Sequence, residues 1–280
     1  MILLFPADVL RPQRVDEHFA AEADAARAAG LEVAVVDHDA LSQPGGADAA
    51  VRRVRTQGAA VYRGWMLRSD QYAAFDRTLR QRGVMLRTSA EQYRRAHELP
   101  GWYSALAEMT PRSVWTAGID RTAFDRACRE FGTGPVVLRD YTKSMKHYWH
   151  EAALIPDVAN PDAAWRVASR FHELRGEDLT GGFVLRRFEC FRSAEVRTWW
   201  VDGECRSIGP HPDTPEEMPD AEFDPATVED AIAALDLPFV TADFVLRDDR
   251  VWRLVEIGDG QVSDRPRTLP AEELITVLRG

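Results

Sequence analysis

Phe239–Leu246 (FVTADFVL) and Val251–Ile257 (VWRLVEI) are two short apolar runs separated by Arg247-Asp-Asp-Arg250, and each carries one acid, Asp243 or Glu256. β-Branched and aromatic residues dominate both runs, so they read as paired strands joined by a polar turn. A carboxylate inside such a strand costs free energy unless it is paired or bound to a metal. In a hairpin through the turn, Asp243 lies near Glu256, and Asp259 of Gly258-Asp-Gly260 reaches the same point from beyond the second strand. Three carboxylates converging at a strand end supply the hard oxygen ligands that magnesium takes, with water and phosphate completing its shell. The plainer alternative, cross-strand charges facing solvent, is weaker, because adjacent carboxylates without a cation repel one another.

Two further groups precede this hairpin. Arg186-Arg187-Phe188-Glu189-Cys190-Phe191 and Glu195-Val-Arg197-Thr-Trp-Trp200 alternate charged and apolar residues, which places Arg187, Glu189 and Arg197 on defined strand faces. A strand end of this kind reads an adenine edge through its backbone while aromatic neighbours cover the ring. On spacing alone, an amphipathic hairpin with surface salt bridges is the better account. Val136–Asp140 is a buried strand ending in charge, and Arg139-Asp-Tyr-Thr-Lys143-Ser-Met-Lys146-His147 follows it. Cations at such a place suit a polyphosphate, and a solvated basic loop explains the same residues equally well.

The first 95 residues alternate strand and helix signals, the rhythm of an open α/β lobe. Strands are expected at Ile2–Phe5, Val33–Val36, Ala59–Tyr62 and Val84–Leu86, and helices at Asp16–Ala29 and from a Ser69 cap to Arg82. No GxGxxG follows the first strand, so a dinucleotide fingerprint is absent there. Farther on, Asp120 caps a helix to Phe131, Pro161 opens another, and Asp202-Gly203 marks a hairpin. Pro210–Pro225 is rich in proline and acid and reads as an exposed loop or lid.

Composition limits the alternatives. The 280 residues are 45% hydrophobic and 29% charged, enough apolar material for a real core. A net charge of -10 argues against general nucleic-acid binding. No run approaches the roughly 18 apolar residues of a membrane span, and the short apolar start, stopped by Pro6 and Asp8, does not read as a signal peptide. Three cysteines without a CxxC pattern argue against a disulfide framework or zinc site, so the cytoplasm is the default. No GxSxG occurs, and no cysteine has an activating histidine.

Taken in order, VVLRDYTKSMKHYW, EVRTWWVDG and TADFVL…WRLVEIGDGQVSD resemble the landmarks of the ATP-grasp family, closest to a bacterial and phage clade with an Arg/Lys-rich ATP site. The resemblance runs from about Trp102 to the C-terminus. It implies α/β and α+β architecture: an N-terminal pre-ATP-grasp lobe (1–95), then an ATP-grasp domain (96–280) with a lid of about 112–188 and a C-terminal subdomain of about 189–280. ATP would contact Arg139, in place of the family's usual lysine, with Lys143, Arg187, Phe188, Glu189, Cys190, Phe191 and Arg197. Arg197 and Lys143 would be catalytic, and Asp243, Glu256 and Asp259 would hold magnesium. No glycine-rich flap is present, so Lys143–His147 would serve as a short charged substitute.

The implied activity is an ATP- and magnesium-dependent carboxylate–amine ligase working through an acyl phosphate on an amino acid or peptide. A nucleotide-binding interaction protein without catalysis, or a phosphotransferase to a small molecule, are the alternatives. Arg63, Trp65 and Arg68, after the third strand, are candidates for binding a substrate carboxylate, because strand carboxyl ends open onto clefts in such sheets.

Overall fold

The computed structural model describes residues 1–279. β1 (Ile2–Pro6), β2 (Glu32–Val36), β3 (Gly58–Tyr62) and β4 (Val84–Leu86) form a parallel sheet in the order β2-β1-β3-β4. The central strand β1 is buried along its whole length and serves two cores by alternation. Ile2 and Leu4 pack with Tyr72, Phe75 and Leu79 of the helix Ser69–Gln81. Leu3 and Phe5 face the helices Ala20–Ala28 and Ala271–Arg279. A parallel strand covered on both faces needs such a continuous apolar run.

β5 (Ser113–Trp115), β6 (Val136–Arg139), β7 (Leu154–Ile155) and β8 (Val184–Arg187) form an antiparallel sheet, ordered β5-β8-β6-β7. Phe124, Phe171 and Phe183 fill its core beneath the helices Arg121–Phe131 and Pro161–Arg175. Asp120 caps the first of these by accepting from the Ala123 amide at 2.9 Å. β9 (Val196–Val201), β10 (Glu204–Pro210), β11 (Phe239–Leu246) and β12 (Trp252–Asp259) make the third sheet, antiparallel and ordered β10-β9-β11-β12. The β9–β10 turn is Asp202-Gly203, with φ of 50° and 86°, the left-handed pair that a two-residue hairpin demands.

The mixed α/β and α+β architecture agrees with the sequence expectation, with local differences. Arg68, not Ser69, stands at the helix N-cap, and the Ser69 hydroxyl instead donates to Glu98 at 2.7 Å. The strand expected through Arg186–Phe191 ends at Arg187, because Phe188–Phe191 leaves the sheet as a connection to β9. A helix at Leu99–Leu106 and a π-turn at Trp149–Ala153 have no counterpart in the sequence expectation. The Pro210–Pro225 segment is held at both ends: Lys146 pairs with Asp213, and the Phe223 ring packs tilted against Phe244 with centroids 4.5 Å apart.

One buried ion pair joins the first sheet to the end of the third. Arg63 Nε and Nη2 meet both Glu22 oxygens at 2.9 and 3.0 Å, and Nη1 donates to the carbonyls of Gly260, Gln261 and Ser263. With Arg63 removed, buried Glu22 keeps only Arg265 Nε, 3.5 Å away, as a cationic neighbour among the described residues, and its charge is left undercompensated. Arg63→Met is therefore expected to cost about 3–5 kcal/mol in urea unfolding, and the double change with Glu22→Gln to recover part of it. An unchanged midpoint in the single variant would contradict this role.

Candidate active site

The face of the third sheet that turns toward the second carries a row of functional side chains set by register. Arg197 on β9 lies opposite Asp243 on β11, which lies opposite Glu256 on β12. Residues directly opposite in antiparallel strands project from the same face. The next row toward the first sheet is Trp199, Thr241 and Gly258. On the other side, the His211 amide donates to the Glu195 carbonyl, extending the β9–β10 ladder and aligning these two side chains.

The Asp243–Glu256 alignment depends on one extra residue in β12. Phe244 pairs with Leu254 while Asp243 pairs with Glu256, so Val255 is a β-bulge. Without it Asp243 would face Val255 and Glu256 would turn to the opposite side of the sheet.

All residues of these rows except Trp199, which turns into the core, floor a cavity of about 580 Å³ that the second sheet and the turn after β6 roof with Arg139, Lys143 and Arg187. Arg197 forks onto Asp243 with two hydrogen bonds of 2.8 Å, and its Nη2 lies 3.0 Å from His211 Nε2. Arg139 Nη2 stands 3.9 Å from Glu256. Burial disfavours a charged Glu256, but Arg139 and Lys143 outweigh it and hold the carboxyl below its usual value. Lys143 has no carboxylate within ion-pair distance among the described residues. Its turn is fixed by fully buried Asp140, which accepts from the Thr142 and Lys143 amides at 2.7 and 2.6 Å.

The segment leaving β8 supplies the cavity's apolar end. Phe188, Glu189 and Phe191 line it, with Val137, Pro111 and Val255 nearby. The Glu189 carboxylate is taken up by Arg253 and Arg247, leaving its main chain for recognition. Cys190 does not line the cavity, and its carbonyl accepts from the Asp248 amide. Arg187 lines the wall, lying over Phe131 at 4.8 Å and donating to the Thr133 carbonyl.

Asp259 is placed elsewhere. It is the last residue of β12, paired with Val240, and so lies on the face opposite Glu256. It is fully buried and outside the cavity lining. Oδ1 accepts from the Gln261 amide at 2.8 Å, and Oδ2 has no partner. Burial pushes its carboxyl up to about 7. Glu195, which sequence reasoning missed as a site residue, lines the cavity beside Asp243; burial, then Asp243 and Glu256, push it up to about 7. Glu195, His211 and Asp243 bring ligand atoms within 4.8 Å of one another.

The three residues after β3 separate. Arg63 has its guanidinium filled by Glu22 and three carbonyls and is closed to a substrate. Trp65 reaches the cavity, with the His18 ring 4.4 Å away. Arg68 opens onto a side cavity of about 380 Å³ that shares Met66, His97 and Lys143 with the main one.

The donor set fits a magnesium ion. Asp243 and Glu256 present hard oxygens side by side in the cavity, each with lone pairs beyond its arginine contacts.

Solved structures of similar fold include a RimK-domain ATP-grasp protein from Sphaerobacter thermophilus, with 19% identity over 100% of both chains and a TM-score of 0.65. D-cycloserine synthetase DcsG is 18% identical over 99% of this chain and 98% of its own, with a TM-score of 0.64. The ATP-grasp ligase PsnB, complexed with precursor peptide PsnA2 and AMPPNP, is 14% identical over 99% and 96%, with a TM-score of 0.58. Among curated proteins, none matches in sequence. A family profile described as an ATP-grasp domain, family 3 of its clade, matches residues 130–278. Together with the cation-roofed, carboxylate-floored cavity, that match makes the chain a member of the ATP-grasp family, in the clade that its Arg/Lys-rich landmarks resemble.

Proposed function

We propose that this protein is an ATP- and magnesium-dependent ligase that activates a carboxylate as an acyl phosphate and joins it to an amine. The observation that carries the reading is the row Arg197–Asp243–Glu256 beneath Arg139 and Lys143 in one cavity. Phosphoryl transfer needs positioning and electrostatic stabilisation more than covalent help, and this site offers cations and metal ligands without a nucleophilic triad.

The adenine lies at the apolar end, between Phe188 and Phe191, with the Glu189 main chain along its edge. Glu195 accepts from the ribose hydroxyls, since it is the floor carboxylate nearest that end and has no side-chain hydrogen bond of its own among the described residues. The triphosphate extends under Arg139 and Lys143 toward Arg197. Asp243 and Glu256 hold magnesium, which, when bound, neutralises developing charge on the phosphate oxygens. A substrate carboxylate entering from the Trp65 side attacks the γ-phosphorus, the bond to the β-phosphate oxygen breaks, and ADP leaves. An amine then attacks the acyl carbon, phosphate departs, and the amine nitrogen loses its proton.

Within this reading the chain falls into three units: an N-terminal lobe to about residue 95, a lid of about 112–188, and a C-terminal subdomain beyond. Ligation on an amino acid or peptide is supported by the precursor peptide bound by PsnB, a protein of the same fold.

Incubation with ATP, magnesium, pooled amino acids and peptides, followed by mass spectrometry, should reveal ADP with a condensed product. A phosphorylated small molecule would point to phosphotransfer instead, and saturable ATP binding without ADP would contradict catalysis. Asp243→Asn and Glu256→Gln are each expected to slow ADP formation by about 10²–10³-fold in protein that is still folded; the midpoint holds for Glu256→Gln and falls for Asp243→Asn, which takes the charge from the buried partner of Arg197. Full turnover in both variants would overturn the assignment.

Asp259→Asn separates the buried acid from the site. The wild-type carboxyl titrates near 7 when folded against 3.8 ordinarily, so above pH 4 the folded state holds a proton that the unfolded chain has released. Stability therefore falls as pH rises, and that loss is complete above about 7. The asparagine variant should keep ADP formation and show a flatter stability profile between pH 5 and 8 in urea unfolding. Parallel profiles would contradict this.

A further inference from the structure

Glu256 faces the cavity only because Val255 is bulged, and the groups that hold the bulge come from the lid. Arg186, on β8, is 7% exposed and has no carboxylate within ion-pair distance among the described residues. Its Nη1 donates to the Val255 carbonyl, and its Nη2 donates to the Leu254 carbonyl at 2.9 Å and to the Thr110 hydroxyl. Thr110 Oγ1 also donates to the Leu254 carbonyl at 2.9 Å, and the Leu254 amide donates to the Met109 carbonyl at 2.9 Å.

Met109–Thr110 is the segment by which the chain enters the lid, and Arg186 lies on the strand by which it leaves. Arg186 therefore grips both residues immediately before Glu256, and the Met109–Thr110 segment grips the first of them, Leu254. A bulge leaves a ladder position unpaired, and a buried carbonyl there needs a donor from elsewhere. A guanidinium with several donors in a fixed fork matches adjacent carbonyls better than a lysine does.

We infer that Arg186 is a positioning residue that locks the Val255 bulge, sets Glu256 beside Asp243, and thereby couples the seating of the lid to metal binding. This rests on the reading of Asp243 and Glu256 as metal ligands. The coupling runs both ways by linkage: a seated lid favours the ligand pair, and a bound metal favours a seated lid.

The test compares wild type, Arg186→Met, Arg186→Lys and Thr110→Val by titration of Mn²⁺ into the ADP-saturated protein, with urea unfolding in parallel. Loss of a group that orients a metal ligand typically costs 10–100-fold in metal affinity. Arg186→Met should weaken Mn²⁺ at least about tenfold, Thr110→Val less, and Arg186→Lys should recover part of the loss. Hydrogen exchange at residues 254–256 should rise in the same order.

A purely structural role would lower the unfolding midpoint of Arg186→Met and leave the Mn²⁺ affinity of the folded protein unchanged, which overturns the inference alone. If Arg186→Met does not fold, unaltered Mn²⁺ affinity in both Arg186→Lys and Thr110→Val overturns it. Wild type that binds no Mn²⁺ with ADP overturns both the inference and the metal reading beneath it.

Discussion

A single inserted residue governs the chemistry of this cavity. β11 and β12 start from their turn in a register that would set Asp243 opposite Val255, and the bulge advances it so that Asp243 meets Glu256. Side-chain period in a strand is two, so one residue of slip exchanges the faces completely. The bulge brings both carboxylates to the cavity side and leaves Ile257 to the core beneath.

Cations are arranged around that pair from two directions, and neighbouring carboxylates without cations repel one another. Arg197 forks onto Asp243 from the same sheet, while Arg139 and Lys143 approach Glu256 from the roof. The roof cations belong to a different sheet, and buried Asp140 fixes the turn that presents Lys143. The cations over the floor therefore come from the second sheet and the turn after β6. The first lobe is attached through Arg63 to the loop after β12, so the chain beyond Glu256 is also held.

Local patterns made much of this legible. The apolar runs around Asp243 and Glu256, with a four-residue polar turn between them, suffice to pair the two strands. Asp120 and Asp202-Gly203 end up where their capping and turn chemistry places them. Asp259 departs from its expected place because β12 continues two residues past Ile257, so the expected turn residue is a strand residue of opposite parity. Glu195 escapes a sequence reading for a related reason. A bulge between Cys205 and Ser207 shifts the β9–β10 register by one, and simple counting from Asp202-Gly203 puts Pro210, not His211, beside it. Arg63 could not be read locally at all, since its partners lie 41 and about 200 positions away.

The central claim is that Asp243 and Glu256 share a divalent cation facing the triphosphate. Anomalous diffraction from a crystal grown with Mn²⁺ and a non-hydrolysable ATP analogue tests it most directly. The account predicts a manganese peak between these two carboxylates, bridged to phosphate oxygens beneath Arg139 and Lys143. A nucleotide bound in the cavity with no peak there, or manganese bound only away from this pair, would contradict it.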